Sequence, residues 1–293
     1  MNLFILGLGY AATIFARRKI ADGYRVGGTV RSEAKALMLR SEDIEAAVFD
    51  ARDEDPSVVE RALREADALL VSIPPGVMGD LLPQRLAGAV IGNAERLRWI
   101  GYLSTVGVYG DHGGAWVDEA TPCAPVSGRG QARLAAEARW SELGARADKP
   151  VIVFRLPGIY GPARNALVAV RAGTARRIVK PGQVFNRIHV EDIATALGAS
   201  VTNDTESAIY NLTDDEPSPP QDVVAYAAEL LGVETPPEIA FDEAQLSPMA
   251  ASFYGENKRV LNSQIKRALG FAPAFPSYRE GLRALLDQGE GES

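Results

Sequence analysis

Two short stretches carry residue types whose spacing could do chemistry. The first is Gly7-Leu8-Gly9-Tyr10-Ala11-Ala12, of the form G-x-G-x-x-A, which directly follows the apolar run Leu3-Phe4-Ile5-Leu6. Gly7 permits a tight turn, Gly9 lets the backbone approach a pyrophosphate, and small Ala12 lets a helix pack closely on a strand. The amides that open the following helix, at Tyr10 and Ala11, add donors and a positive dipole end. The second stretch is VSGRGQARLAAE, Val126 to Glu137, which sets Arg129 and Arg133 four residues apart at the start of a predicted helix. Residues at that spacing share a face. A guanidinium with a pKa above roughly 12 holds anions through paired hydrogen bonds but exchanges no proton near neutrality.

The elements that must position these residues alternate along the chain. Strand-length apolar runs LFILG, YRVGGTV, AAVFD, ALLVSIP, RWIGYLS and VIVFRLP are separated by helical patterns. That is the rhythm of βαβ units, and right-handed crossovers turn it into a doubly wound parallel sheet, the Rossmann form of α/β fold. The loop from Val108 to Gly128, rich in Gly, Pro and acidic residues, is longer than a simple connection requires, which marks a functional loop. Beyond Pro162 the rhythm breaks into shorter pieces around DDEPSPPQD and ETPPEIA. The expected division is a Rossmann domain over 1–160 plus about 185–213. A smaller mixed α/β domain, serving substrate binding or as a lid, then takes 161–184 and about 214–290.

A chain of 293 residues, 46% hydrophobic and 24% charged, has the composition of a folded globular protein. Its net charge of −7 supplies no basic surface for a phosphate backbone or an anionic bilayer, so neither nucleic acid nor membrane is expected as partner, and a small molecule is. The apolar start from Leu3 to Ala16 is followed, not preceded, by its positive charges Arg17, Arg18 and Lys19, unlike a secretory signal. Cys123 is the single cysteine, which excludes an internal disulfide and thiolate zinc clusters. A reducing cytoplasm is the expected compartment, and no metal site is expected.

The glycine loop points to a dinucleotide. NAD-selective sites place an acidic residue after the second strand, to accept from the ribose 2′-hydroxyl. Here that place reads GGTVRSEAK, where Thr29, Arg31 and Ser32 offer hydroxyls and a guanidinium suited to a 2′-phosphate. NADP is therefore expected in preference to NAD. Asp50, ending the third strand, could accept from the adenine amino group or serve as a turn residue. Ser72, Ile73 and Pro74, in VSIPPG after the fourth strand, stand where the middle of the cofactor would pass.

Four further segments follow in order: YLSTVGVYGD, VSGRGQARLAAE, FRLPGIYGP and FNRIHVEDIA. With the N-terminal glycine loop they resemble the extended short-chain dehydrogenase/reductases, the superfamily of nucleotide-sugar epimerases and dehydratases, over nearly the whole chain. The resemblance implies that Thr105, four residues before Tyr109 of the V-Y-G turn, bonds the substrate oxygen, with Ser104 beside the cofactor. It implies that the backbone of Pro157, Gly158 and Ile159 passes the nicotinamide, and that His189 and Asp192 are mostly structural. Members of the superfamily often dimerise through two helices of the main domain, so a homodimer is compatible with the resemblance.

The superfamily carries its proton on a tyrosine followed four residues later by a lysine, ahead of a pattern such as L-A-A-E. Matching Leu134-Ala135-Ala136-Glu137 puts Arg133 at the lysine position and Arg129 at the tyrosine position. Arg133 keeps the capacity to bond the nicotinamide ribose, whereas Arg129 does not replace a phenol. A positioned acid or base contributes about 10²–10⁴ in rate, so the departure bears on chemistry more than on binding. Three outcomes follow. Hydride transfer persists as an NADP-dependent oxidoreductase or epimerase/dehydratase-like reaction, with Thr105 orienting and Tyr109, Tyr160 or a water handling the proton. Alternatively, Arg129 holds an anionic substrate, by a carboxylate or phosphate, beside the nicotinamide; the substrate expected in either case is small and either anionic or a sugar-derived carbonyl or hydroxyl compound. In the third outcome the cofactor binds without turnover, in a regulatory or sensor protein.

Overall fold

The computed structural model describes residues 1–52, 55–76, 79–203 and 206–291. In chain order the elements begin with β1 (Asn2–Leu6), α1 (Tyr10–Ala21), β2 (Arg25–Val30), α2 (Glu33–Arg40), β3 (Glu45–Val48), α3 (Ser57–Leu63) and β4 (Ala68–Val71). They continue with α4 (Leu82–Arg85), α5 (Ala87–Gly92), β5 (Trp99–Thr105), β6 (Trp116–Val117), α6 (Gly128–Ala147), β7 (Val151–Leu156), β8 (Gly158–Tyr160), α7 (Ala166–Arg171) and β9 (Arg177–Val179). The last are β10 (Arg187–His189), α8 (Val190–Thr202), β11 (Ala208–Asn211), α9 (Pro220–Leu231), β12 (Glu238–Ala240), α10 (Pro248–Tyr254), β13 (Arg259–Val260), α11 (Ser263–Leu269) and α12 (Tyr278–Asp287).

Seven strands form one parallel sheet in the order β11-β7-β5-β4-β1-β2-β3. This is the doubly wound Rossmann arrangement that the alternating pattern predicts. The central strands read as unbroken apolar runs because helices cover both faces: all four residues of β4 and all six of β7 are buried. Strand order reverses between β1 and β4, which opens a crevice at their carboxyl ends, where such sheets bind ligands.

The chain divides into two compact units. One comprises Met1–Val108, Gly128–Arg155 and Ile193–Tyr210; the other comprises Tyr109–Ser127, Leu156–Asp192 and Asn211–Ser293. The first is built around the sheet, with a core that includes Leu6, Leu69, Tyr102, Trp140 and Val153. The second contains three two-stranded parallel ladders, β10 with β8, β12 with β9, and β13 with β6. Its core gathers Tyr160, Leu167, Val223, Ala227 and Tyr278. These pairings explain where the unit boundaries fall. Strand β6 belongs to the long loop and pairs with β13, while β8 pairs with β10, so 109–127, 156–160 and 185–192 travel with the smaller unit.

Local chemistry sets the ends of the elements. Ser277 and Glu280 form a capping box at the start of α12, and Gly232 and Gly270, both left-handed, stop α9 and α11. Gly281 within α12 has a packing reason, since a Cβ there would lie 2.0 Å from the Tyr160 hydroxyl. Among the described residues no helix is long and apolar enough to cross a membrane.

Candidate functional site

The glycine loop is anchored before any ligand is considered. Gly7 adopts φ +92°, and a Cβ on it would lie 2.7 Å from Ile73 Cγ1, so the sharp turn and the contact with the end of β4 both require glycine. The Gly7 amide donates to Thr29 Oγ1 at 2.9 Å, and the Leu8 amide to the Thr29 carbonyl at 2.8 Å. Thr29 is buried, so its hydroxyl braces the loop and is not offered to a ribose phosphate as the sequence pattern implied. Gly9 has ordinary negative φ and serves by what it leaves open: a Cβ there would meet only Ser72 Oγ, at 3.9 Å. It precedes α1 as a cap without a side-chain bond, and first-turn amides have no intrahelical acceptor. Open space, small residues and first-turn donors at a strand–helix junction fit a pyrophosphate. Ala11 and Ala12 are buried where α1 meets the sheet.

The neighbouring strand ends supply the remaining cofactor candidates. Arg31 and Ser32 follow β2 and are exposed; Ser32 caps α2, its hydroxyl accepting from the Lys35 amide at 3.4 Å. Lys35, which the motif reading did not single out, donates from Nζ to the Leu8 carbonyl at 2.6 Å. Only the tertiary fold reveals that bond, because 27 residues separate the partners. Asp50 accepts from the Arg52 guanidinium, at 3.0 Å on Oδ1 and 2.5 Å on Oδ2, and from the Arg52 amide at 3.0 Å. Those bonds, with smaller contributions from the charges of Arg52 and Arg31, hold its carboxyl well below the usual range. Ser72 and Ile73 are half-buried after β4 and Pro74 is exposed.

Helix α6 carries the two arginines. Gly128 starts it, no acidic residue stands in its first turn, and Arg129 there is exposed. One turn further, Arg133 donates to the Leu103 carbonyl, and its guanidinium carbon lies 5.9 Å from the ring centre of Tyr102. One turn further again, buried Glu137 accepts from the Ser104 hydroxyl and from Arg155, at 3.2 and 2.8 Å. Expected at the cofactor, Ser104 is thus 5% exposed with its hydroxyl engaged by Glu137. Sequence reading missed Glu137 and Arg155 as a pair; the glutamate of L-A-A-E was the available signal. Thr105 ends β5 half-buried, its Oγ1 accepting from the Gly107 amide at 3.1 Å, which leaves its own proton to donate.

In the other unit, the two tyrosines offered as proton carriers are structural. Tyr109 is fully buried and donates to Asn211 Oδ1 at 2.8 Å. Tyr160 is 8% exposed, donates to the Ser277 carbonyl at 3.3 Å and packs edge-on against His189. Burial, reinforced by the charges of Asp214 and Asp192, pushes its phenol far above the ordinary value. Neither hydroxyl is placed to exchange a proton with a substrate. Asp192 accepts from the amides of Ala274 and Phe275 at 2.8 and 3.1 Å, and buried His189 lies against Phe275, so both have structural settings. His112 contacts the Tyr109 carbonyl at 3.1 Å. Pro157 and Ile159 are half-buried, and Gly158 is exposed with its amide donating to Asn186 at 3.2 Å.

No family model matches the chain. A curated relative, a 3-diazoavenalumate denitrifying reductase from a Streptomyces species, is 27% identical over 286 residues, which covers 89% of this chain and 92% of the relative. Among solved structures, a functionally unknown conserved protein from Silicibacter pomeroyi DSS is 46% identical, with 99% of each chain covered and a TM-score of 0.89. UDP-glucose 4-epimerase from Thermus thermophilus, solved in complex with NAD, is 20% identical, with 100% of each chain covered and a TM-score of 0.78. That likeness shows a shared fold, the one implied by the order of the motifs.

Proposed function

We propose that this chain, which belongs to one family with the Silicibacter pomeroyi protein and has the fold of the extended short-chain dehydrogenase/reductases, is an NADP-dependent reductase of a small anionic electrophile. The observation that carries this reading is the glycine loop, open at Gly9 before the start of α1, in the same unit as α6; the motif match, which sets Arg129 at the position of the superfamily's phenol, supports it. The buried hydrogen bonds of Tyr109 and Tyr160 add to it, since they remove both substitutes for that phenol. An epimerase must take and return a proton within each turnover, so this arrangement disfavours epimerisation. A reductase has a lighter requirement when its substrate needs little proton help.

Bound to the glycine loop, the cofactor would supply the hydride. The chain's own groups then have separable tasks. First-turn amides of α1 take the pyrophosphate, Arg31 takes the 2′-phosphate, and Arg133, held against the Leu103 carbonyl, keeps donors for the ribose. Thr105 donates to the heteroatom that gains charge, and Arg129 pairs with a carboxylate or phosphate on the substrate. The reductase relative acts, by its name, on 3-diazoavenalumate. A diazo group suits such a site chemically. An arenediazonium ion that gains a hydride gives an arene and dinitrogen, a balanced change with no proton added.

Fluorescence titration with NADPH and NADH, followed by NADPH oxidation assays on carbonyl and diazo compounds with and without a carboxylate, tests the proposal. It expects stoichiometric NADPH binding and turnover of carboxylate-bearing members. Binding with no turnover across the panel, unchanged by Thr105→Ala, would favour the regulatory reading in its place. Failure to bind either nucleotide would remove both.

A further inference from the structure

We propose that the unit without the glycine loop carries a site of its own for a linear polyamine, on one face of α9 beside the start of α12. An open cleft of about 660 Å³ lies there, and all the residues that line it belong to that unit. Helix periodicity builds its floor: Asp222, Ala225, Tyr226 and Glu229 follow at intervals of three and four residues and so share a face. The two carboxylates stand two turns apart, about 10 Å along the helix axis, with small Ala225 leaving room between them. Asp222 lies in the first turn, where the macrodipole favours an anion. Glu229 lies in the last turn, where the macrodipole opposes one, and no basic residue stands in that turn.

The neighbouring cations are engaged elsewhere. Arg279 donates to both oxygens of Glu216, at 2.6 and 2.7 Å, and its guanidinium carbon lies 4.5 Å from the ring centre of Tyr278. Arg283 donates to the Tyr226 hydroxyl at 2.9 Å. Among the described residues neither Asp222 nor Glu229 forms an ion pair. Tyr278 is an independent sign of a ligand: it lines the cleft and is 2% exposed, yet among the described residues its hydroxyl has no hydrogen-bond partner. Burial, reinforced by the charges of Glu216 and Asp222 and opposed by those of Arg279 and Arg187, raises its pKa. The neutral phenol keeps lone pairs that accept from an ammonium. The Tyr226 and Tyr278 rings meet edge to face, centres 5.7 Å apart, and give the cleft aromatic surface for methylenes. Two uncompensated anions joined by such a surface match a methylene chain with an ammonium at each end. A metal ion is not matched, because carboxylates so far apart do not share ligand distances of about 2.0–2.6 Å.

Isothermal titration calorimetry of the full chain tests this, with spermidine, 1,4-diaminobutane, butylamine and magnesium chloride as titrants. No nucleotide is present, so the outcome is independent of the dinucleotide reading. The expected result is one spermidine bound per chain, with butylamine weaker by about tenfold or more. Asp222→Asn and Glu229→Gln each weaken spermidine by about tenfold, a loss typical of one charge-assisted bond. Tyr278→Phe, which removes only the hydroxyl, weakens it by about threefold. Glu243→Gln, at an exposed carboxylate outside the cleft, changes it by less than about twofold. Circular dichroism matched to wild type shows that each variant is folded. Absence of spermidine binding below about 1 mM would overturn the proposal. Butylamine or 1,4-diaminobutane binding as tightly as spermidine would overturn it too, because one carboxylate would then suffice. Magnesium binding as tightly as spermidine, or equal losses from Glu243→Gln and Glu229→Gln, would do the same by showing attraction to diffuse negative charge alone.

Discussion

Arg129 is placed at some electrostatic cost, because a cation in the first turn of a 20-residue helix opposes the macrodipole, by about 0.3–1 kcal/mol at an exposed site. The same cation strengthens any anion held at that helix start. Arg129→Met is therefore expected to raise KM for a carboxylate-bearing substrate by about tenfold or more, with kcat little changed, and to leave a neutral analogue unaffected. Equal losses for both analogues would remove the anion-holding role. A second prediction concerns Asp214, which is 2% exposed and whose carboxyl is pushed up to about 8 by burial, against the pull of Arg187. In the unfolded chain an aspartate ionises near about pH 4. Between about pH 4 and about pH 8 the unfolded chain has lost this proton and the folded chain still holds it, so stability falls as pH rises through that window. Asp214→Asn should flatten the decline, and thermal melts of both proteins at about pH 5 and about pH 8 measure it. At this scale the glycine loop was legible, because a contiguous motif carries it. The fate of Tyr109 and Tyr160 was not, because Asn211 and Ser277, which accept their protons, lie 102 and 117 residues away.

Among the elements, α6 matters most, since its register against β5 decides where both arginines stand. Glu137 fixes that register by accepting from Ser104 on β5 and from Arg155 on β7, with both ends of the ion pair buried. Removing its charge leaves the Arg155 guanidinium buried beside a neutral amide. Glu137→Gln is accordingly expected to destabilise the chain by about 3–5 kcal/mol in urea melts, the scale of a broken buried pair. A change below about 1 kcal/mol would mean that other packing sets the register. The alternation of strands and helices was readable in advance because buried parallel strands are long apolar runs. The short ladders of the second unit were not. Strands of two or three residues, such as Trp116–Val117 and Arg259–Val260, are too brief to show a period, and their partners are distant in sequence.

On the scale of the whole molecule, the chain forms two units with separate cores. One holds the glycine loop, Thr105 and the arginine-bearing helix; the other holds the tyrosines that the fold has withdrawn from proton chemistry. The proposed reductase would keep the cofactor cradle of its fold and work without a phenol acid. The pH dependence of NADPH oxidation in a single turnover, with a substrate identified by the screen, bears on this most directly. No side-chain acid titrates at the reaction centre in this account, so the rate should stay level, within about threefold, from about pH 6 to about pH 9. A rate falling about tenfold per pH unit on the alkaline side, with that limb abolished by Tyr109→Phe or Tyr160→Phe, would show a working phenol and contradict it.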